Sequence, residues 1–176
     1  MSSTKRHYGI ISIATIVPRF IKALQANGDI VEAIASRSLE KAKALAKQLG
    51  IEKAYGSYEA LYEDESIEVV YIATPNHTHY QEVMNALKHH KHVIVEKPFA
   101  LSGKDAFEMF RFAKEQGCFL MEAQKSVFLP ATIRLKELIE QKVLGECQQI
   151  SMMSSFPGAY DKEHWMYKES GGVLYG

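Results

Sequence analysis

The chain has 176 residues, 47% hydrophobic and 24% charged, and its 21 basic and 21 acidic side chains cancel to a formal net charge of zero. That balance excludes a long-range pull toward nucleic acid or an anionic membrane surface, and the length accommodates one full domain, or one domain and a fragment of a second. No stretch approaches about 18 uninterrupted apolar residues, so no membrane span is expected.

The first strand is predicted over residues 8–13. A helix follows with Ile16, Val17, Phe20, Ile21 and Leu24 on one face, Pro18 in its first turn and a stop near Asn27-Gly28. Residues 30–35 form the second strand. Ser38 then caps a helix carrying Leu39, Ala42, Leu45, Ala46 and Leu49, which Gly50 closes. A short third strand is expected at 53–55. Residues 69–73 are continuously apolar, as in a central strand buried on both faces, and end in the turn Thr74-Pro75-Asn76. A helix over 79–87 leads to a strand at 93–95. Ser102 with Asp105 resembles a capping box opening a helix that runs to Gly117, and 118–121 make the sixth strand. Pro130 begins a helix with Ile133, Leu138 and Ile139, ended by Gly145, and from Gln148 the pattern alternates like a strand before turning irregular.

Strands alternating with amphipathic helices predict an α/β fold, a doubly wound parallel sheet of the Rossmann type. It fills residues 1–123, while 124–176 begin a second domain too short to bury a core alone. The polar residues 1–7 lack the apolar run of a signal peptide. Cys118 and Cys147 lack metal spacing and read as reduced packing residues, so a cytoplasmic protein is expected.

In an open parallel sheet, ligands bind beyond the carboxyl ends of the strands, so the turns after the strands carry the information. Ser12, Ile13, Ala14, Thr15 and Ile16 occupy the place of a G-x-G-x-x-G/A phosphate turn, but without glycine. Backbone N–H groups and a helix dipole still suit a pyrophosphate there, although a plain strand-turn-helix explains the segment as well. After the second strand, about 20 residues on, come Ser36, Arg37 and Ser38, where NAD sites usually place an acid. The small and basic residues lean toward NADP, with NAD as the alternative. Arg37 is suited to a 2′-phosphate or to stacking on adenine.

The fourth strand delivers Thr74, Pro75, Asn76, His77 and His79, and the fifth delivers Glu96-Lys97-Pro98. Lys and Glu at a strand end, next to proline, are hard to explain by packing, since both are rarely buried without a partner or a task. Lys97 is the candidate catalytic residue, suited to holding or shuttling the proton of a substrate hydroxyl. Solvated loop charges are the plainer alternative. Glu122 and Gln124 complete the rim. The pairs and clusters among His77, His79, His89, His90 and His92 lack Cys or carboxylate partners at zinc spacing, and no metal is expected. Trp165, Tyr160 and Tyr167 read as a packing cluster rather than a substrate wall.

Taken together and in order, Ala73-Thr74-Pro75-Asn76 with His79, then Glu96-Lys97-Pro98, then Glu122-Ala123 with Phe128-Leu129-Pro130 resemble the glucose–fructose oxidoreductase / inositol dehydrogenase / MocA family. The lead-in Tyr8-Gly9-Ile10-Ile11-Ser12 and the run Ala35-Ser36-Arg37-Ser38 are similar to its NADP-leaning, dihydrodiol-dehydrogenase-like members. The resemblance implies a nucleotide-binding domain followed by a substrate domain on an open antiparallel sheet. It also implies NAD(P)-dependent oxidation or reduction of an alcohol carbon on a sugar, cyclitol or related diol. By position, Ser12, Ala14, Arg37, Thr74, Asn76 and Glu96 line the cofactor and Lys97 meets the substrate; Thr15, Ile16, Ser36, Pro75, His79 and Gln124 are counted with the cofactor site.

Ser170-Gly171-Gly172-Val173-Leu174 resembles the family's glycine-rich opening of a helix bearing a catalytic aspartate and histidine. Gly176 then stands near the aspartate position, so a protein of roughly twice this size is expected. Residues 147–176 would lack sheet partners and are expected to be disordered or buried against another chain. A small-molecule, polyol-like substrate and a homo-oligomer are the expected partners. The leading reading is an oxidoreductase; the others are a nucleotide-binding regulatory or sensor protein without turnover, and a remnant that folds only in part.

Overall fold

The computed structural model describes residues 5–151 and residue 153. The expectations for Tyr160, Trp165 and Tyr167 and for the segment 170–174 lie outside the described residues, as does most of the expected disorder in 147–176.

Six parallel strands form one sheet in the order β3-β2-β1-β4-β5-β6: β1 is His7–Ile11, β2 Ile30–Ala35, β3 Lys53–Tyr55, β4 Val69–Ile72, β5 His92–Val95 and β6 Leu120–Glu122. This is the doubly wound order, reversing direction between β1 and β4. The helices α1 (Val17–Asn27) and α2 (Leu39–Leu49) cover one face, where Val17, Ile21, Leu24, Ala42 and Ala46 pack on Ile10, Ile34 and Tyr71. On the other face α3 (Tyr58–Tyr62), α4 (His79–Lys88) and α5 (Gly103–Glu115) press Leu61, Val83, Leu87 and Met109 onto Ile11, Val70, Ile72 and Val95. Alternation along each strand feeds both cores, and each fully buried aliphatic side chain contributes about 1.5–3 kcal/mol.

The helix starts show how local sequence fixes the fold. Ser38, Ser57 and Ser102 cap α2, α3 and α5, accepting N–H bonds from Lys41, Ala60 and Asp105 at 3.4, 3.2 and 3.1 Å. Gly50 closes α2 in the left-handed conformation, φ 69°. Gly9 permits a close approach: a Cβ there would meet Leu61 Cδ2 and Ile67 Cδ1 at 2.8 Å.

Several expected boundaries move. The first strand stops at Ile11 rather than residue 13, because Ser12 turns to φ 113°. The sixth strand begins at Leu120, after a turn at Gly117 with φ 66°. The final helix, α6 (Pro130–Glu140), ends five residues before Gly145, with Lys142 already at φ 53°. Residues 148–151 form no strand and lie exposed, since no described segment offers them a ladder. Cys147 is exposed rather than packed, whereas Cys118 is half-buried.

Candidate nucleotide cleft

The carboxyl ends of β1, β2, β4, β5 and β6 open onto one cleft of about 1150 Å³. Ser12, Ala14, Thr15 and Ile16 line it from the turn after β1, Ser36 and Arg37 from the turn after β2, and Thr74, Pro75 and Asn76 from beyond β4. Glu96 and Lys97 enter after β5 and Gln124 after β6, so every sequence-designated residue except His79 and Glu122 is on the wall.

Each turn is shaped by its own hydroxyls. Ser12 donates its N–H to the Ala35 carbonyl oxygen (3.0 Å) and accepts the Ala14 N–H on Oγ (3.1 Å), locking the turn to the end of β2. Its φ of 113° is a region that L residues rarely adopt, so the missing glycine leaves stored strain. The helix that follows has no side-chain cap and no acid in its first turn. Among the described residues no backbone acceptor takes the N–H groups of Thr15 and Ile16. Such a helix start, with its dipole, suits an anion.

Ser36 is buried; it donates its N–H to the Tyr55 carbonyl oxygen (3.1 Å) and accepts the Ser38 N–H on Oγ (3.2 Å). The turn thereby holds Arg37 exposed above it. Arg19 and Lys41 reach the same cleft; with Arg37, Lys97 and Lys125 they make five Lys or Arg side chains among the described lining residues, against a single carboxylate, Glu96. Arg37 lies close enough to Tyr58 that its charge opposes the burial that raises the phenol's pKa.

At the other end, Glu96 is held from two sides. Its Oε1 accepts the hydroxyl of Tyr71 at 2.6 Å and its Oε2 the N–H of Lys97 at 3.3 Å. Burial first, and the hydrogen bond to Glu96 second, push the Tyr71 phenol far above its usual range. The Lys97–Pro98 peptide is cis, and Lys97 is exposed at the mouth, in none of the ion pairs formed among the described residues. Phe20 stacks on Tyr71 with ring centroids 3.7 Å apart, and these two rings with Ile94 and Met121 make an apolar wall.

His79 stands behind the wall. It is fully buried, with Nδ1 2.9 Å from the Pro98 carbonyl oxygen and Nε2 2.9 Å from that of Thr74. Glu122 also turns away, accepting the Phe99 N–H at 2.8 Å. Among the described residues no three His, Cys, Asp or Glu side chains are grouped to hold a metal ion, and no helix is long and apolar enough to cross a membrane.

Sequence reasoning missed Arg19, Lys41, Tyr58 and the apolar wall. Phe20 carries a helix-face signal and Tyr71 a central-strand signal, and both read as core. Arg19 had a usable signal: a cation in the first turn of a helix opposes the dipole unless an anion comes there.

A family model described as "Oxidoreductase family, NAD-binding Rossmann fold", the Gfo/Idh/MocA model, matches residues 6–124. The chain is 35% identical to trans-1,2-dihydrobenzene-1,2-diol dehydrogenase of Mus musculus over 170 residues, 95% of this chain and 51% of that protein. It is 40% identical to D-xylose 1-dehydrogenase (NADP(+)) 2 of Haloferax volcanii over 150 residues, 85% and 46% of the two chains. Among solved structures, an NAD binding oxidoreductase from Klebsiella pneumoniae superposes with a TM-score of 0.76 at 30% identity, covering 81% of this chain and 40% of that one. A 3-ketoreductase from Actinomadura kijaniata, in complex with TDP-benzene and NADP, gives 0.73 at 31% identity, covering 80% and 45%. The chain spans about half the length of the curated relatives it matches.

Proposed function

The chain belongs to the Gfo/Idh/MocA oxidoreductase family, and on that premise we propose that its cleft holds a nicotinamide dinucleotide, NADP in preference to NAD. The protein's reaction is hydride transfer to or from an alcohol carbon of a sugar, cyclitol or related diol. The observation that carries this reading is convergence: the turns bearing Ser12, Arg37, Asn76, Glu96 and Lys97 share one cleft.

The donor set fits the group. The free N–H groups of Thr15 and Ile16 at the start of α1 face a pyrophosphate, with Arg19 adding charge. Arg37 and Lys41 provide cations for a 2′-phosphate, and among the described residues of the cleft wall no acid stands beside them to hold a 2′-hydroxyl instead. Phe20, backed by the buried ring of Tyr71, offers with Ile94 and Met121 an apolar wall to an aromatic ring. When bound, the nicotinamide supplies the hydride acceptor or donor. Lys97 orients the substrate hydroxyl and, as the neutral amine, accepts its proton on Nζ. Residues 1–123 make the nucleotide-binding domain, and 124–176 open the substrate domain. The protein works in the cytoplasm as a homo-oligomer, a reading supported by two free cysteines and by exposed apolar residues such as Phe107, Phe128 and Leu144.

One observation favours the reading of a sensor without turnover: Ser12 Oγ occupies the Ala14 N–H that a glycine turn would leave for phosphate. Titration with NADPH and NADH, followed by nucleotide fluorescence, tests both readings. Binding with NADPH the tighter ligand is expected, and failure of both nucleotides to bind overturns them. Binding without any change in nicotinamide absorbance across a polyol panel, in a chain of the relatives' length, selects the sensor.

A further inference from the structure

We propose that Tyr71 is a positioning residue that fixes the Glu96 carboxylate in the nucleotide cleft. The inference rests on the nucleotide reading above and deepens it.

Tyr71 and Ile94 are register partners on neighbouring parallel strands, and side chains two apart share a face. Glu96, two residues beyond Ile94, therefore lies on the same face as Tyr71 and ahead of it along the sheet. The phenol spans that offset and meets Oε1 at 2.6 Å. Its ring has no freedom to do otherwise: Tyr71 is fully buried, and Phe20 from α1 lies on it at an interplanar angle of 12°. With Oε2 engaged by the Lys97 N–H, both carboxylate oxygens are held and Glu96 has one orientation. It is thereby kept from turning to pair with the ammonium of its own neighbour, Lys97.

A purely structural account leaves the hydroxyl unexplained. Phenylalanine would fill the same volume and stack equally on Phe20. A buried hydroxyl is tolerated only with a partner, and here the partner is the one carboxylate among the described residues of the cleft wall. Burial, and then the hydrogen bond to Glu96, raise the phenol's pKa, which favours the proton staying on Tyr71.

The test is a double-mutant cycle on NADPH affinity, with wild type, Tyr71→Phe, Glu96→Gln and the double variant. Tyr71→Phe keeps the stack and is expected to weaken NADPH about 5–20-fold, with little change in thermal midpoint without nucleotide. In the Glu96→Gln background the same replacement is expected to change affinity less than about twofold, since its effect runs through Glu96. Equal losses in both backgrounds, or no loss in either, overturn the proposal. Proton NMR supplies a second readout on the unliganded chain, useful should Tyr71→Phe fail to fold: a slowly exchanging, low-field hydroxyl proton is expected in wild type and absent from Glu96→Ala. Its absence from wild type also overturns the proposal. A wild-type chain that binds neither nucleotide removes the cleft reading itself, whereas binding with a flat cycle removes only the role of Tyr71.

Discussion

The Nδ1 atom of His79 lies 2.9 Å from the carbonyl oxygen of Pro98, and through its other nitrogen the same ring reaches the Thr74 carbonyl at 2.9 Å. One buried imidazole thus stands between the loop that carries Lys97 and the loop that carries Asn76, behind the cleft, and in its neutral form its single N–H donates to one of the two carbonyls. The two carbonyls favour a protonated ring, but burial outweighs them and holds the pKa below the ordinary histidine value.

The folded ring therefore accepts a proton less readily than the unfolded chain does. Stability contributed by neutral His79 is complete above the unfolded value near 6.5 and declines as pH falls below it. Urea unfolding between about pH 8 and pH 5 is expected to show this decline. His79→Gln is expected to cost about 1–3 kcal/mol at neutral pH and to flatten the acid side of the profile. An unchanged profile in the variant would assign the decline to another group.

Asp64 gives a second pH signature at lower pH. Burial alone would raise its pKa, but hydrogen bonds from Lys53 (2.8 Å), Ser66 (2.7 Å) and Tyr55 (2.9 Å) outweigh it and hold the carboxyl well below the usual range. Its contribution is present above the unfolded value of 3.8 and is lost as pH falls below that. Asp64→Asn is expected to cost about 1.5–3 kcal/mol at neutral pH and to reduce the loss of stability in acid. Thermal melts at stepped pH would measure both effects.

At Ser12 two effects oppose each other. Relief of the strained φ by Ser12→Gly is worth about 1–3 kcal/mol, while the lost Ala14 hydrogen bond costs about 1 kcal/mol and glycine's extra unfolded freedom about 0.5–1 kcal/mol. Stability is expected to change little, but the freed N–H and the closer backbone approach are expected to tighten NADPH several-fold. Ser12→Ala keeps the strain, loses the bond and is expected to cost about 1 kcal/mol. Weaker NADPH binding by the glycine variant would contradict this account of the turn.

Arg37→Ala is expected to weaken NADPH by about 10–100-fold, the worth of a charge-assisted contact to phosphate, and NADH by less than about threefold. Parallel titrations of both nucleotides measure the ratio. Equal losses would place Arg37 on a part of the nucleotide common to both.

The alternating fold was legible because each long helix has its own period and punctuation: Ser38 and Gly50 bracket α2, and Ser102 opens α5. The helix α3 escaped because five residues make little more than one turn, too few for a period to register, although Ser57 marks its start. The end of β1 was misplaced because serine, rather than glycine, holds the left-handed position at Ser12. The places of Arg37, Asn76, Glu96, Lys97 and Gln124 on the cleft wall were legible because each follows the carboxyl end of a parallel strand. Position in sequence does not reveal which way a side chain leaves its turn, so the designation of His79 did not foresee its place behind the wall.

Ser38, Ser57 and Ser102 close the starts of α2, α3 and α5, whereas α1 has no side chain over its first amides. An uncovered helix start attracts any small anion, sulfate and inorganic phosphate included. Apparent nucleotide affinity will therefore depend on the buffer, falling as either ion is added at constant ionic strength, and the preparation itself becomes part of the measurement.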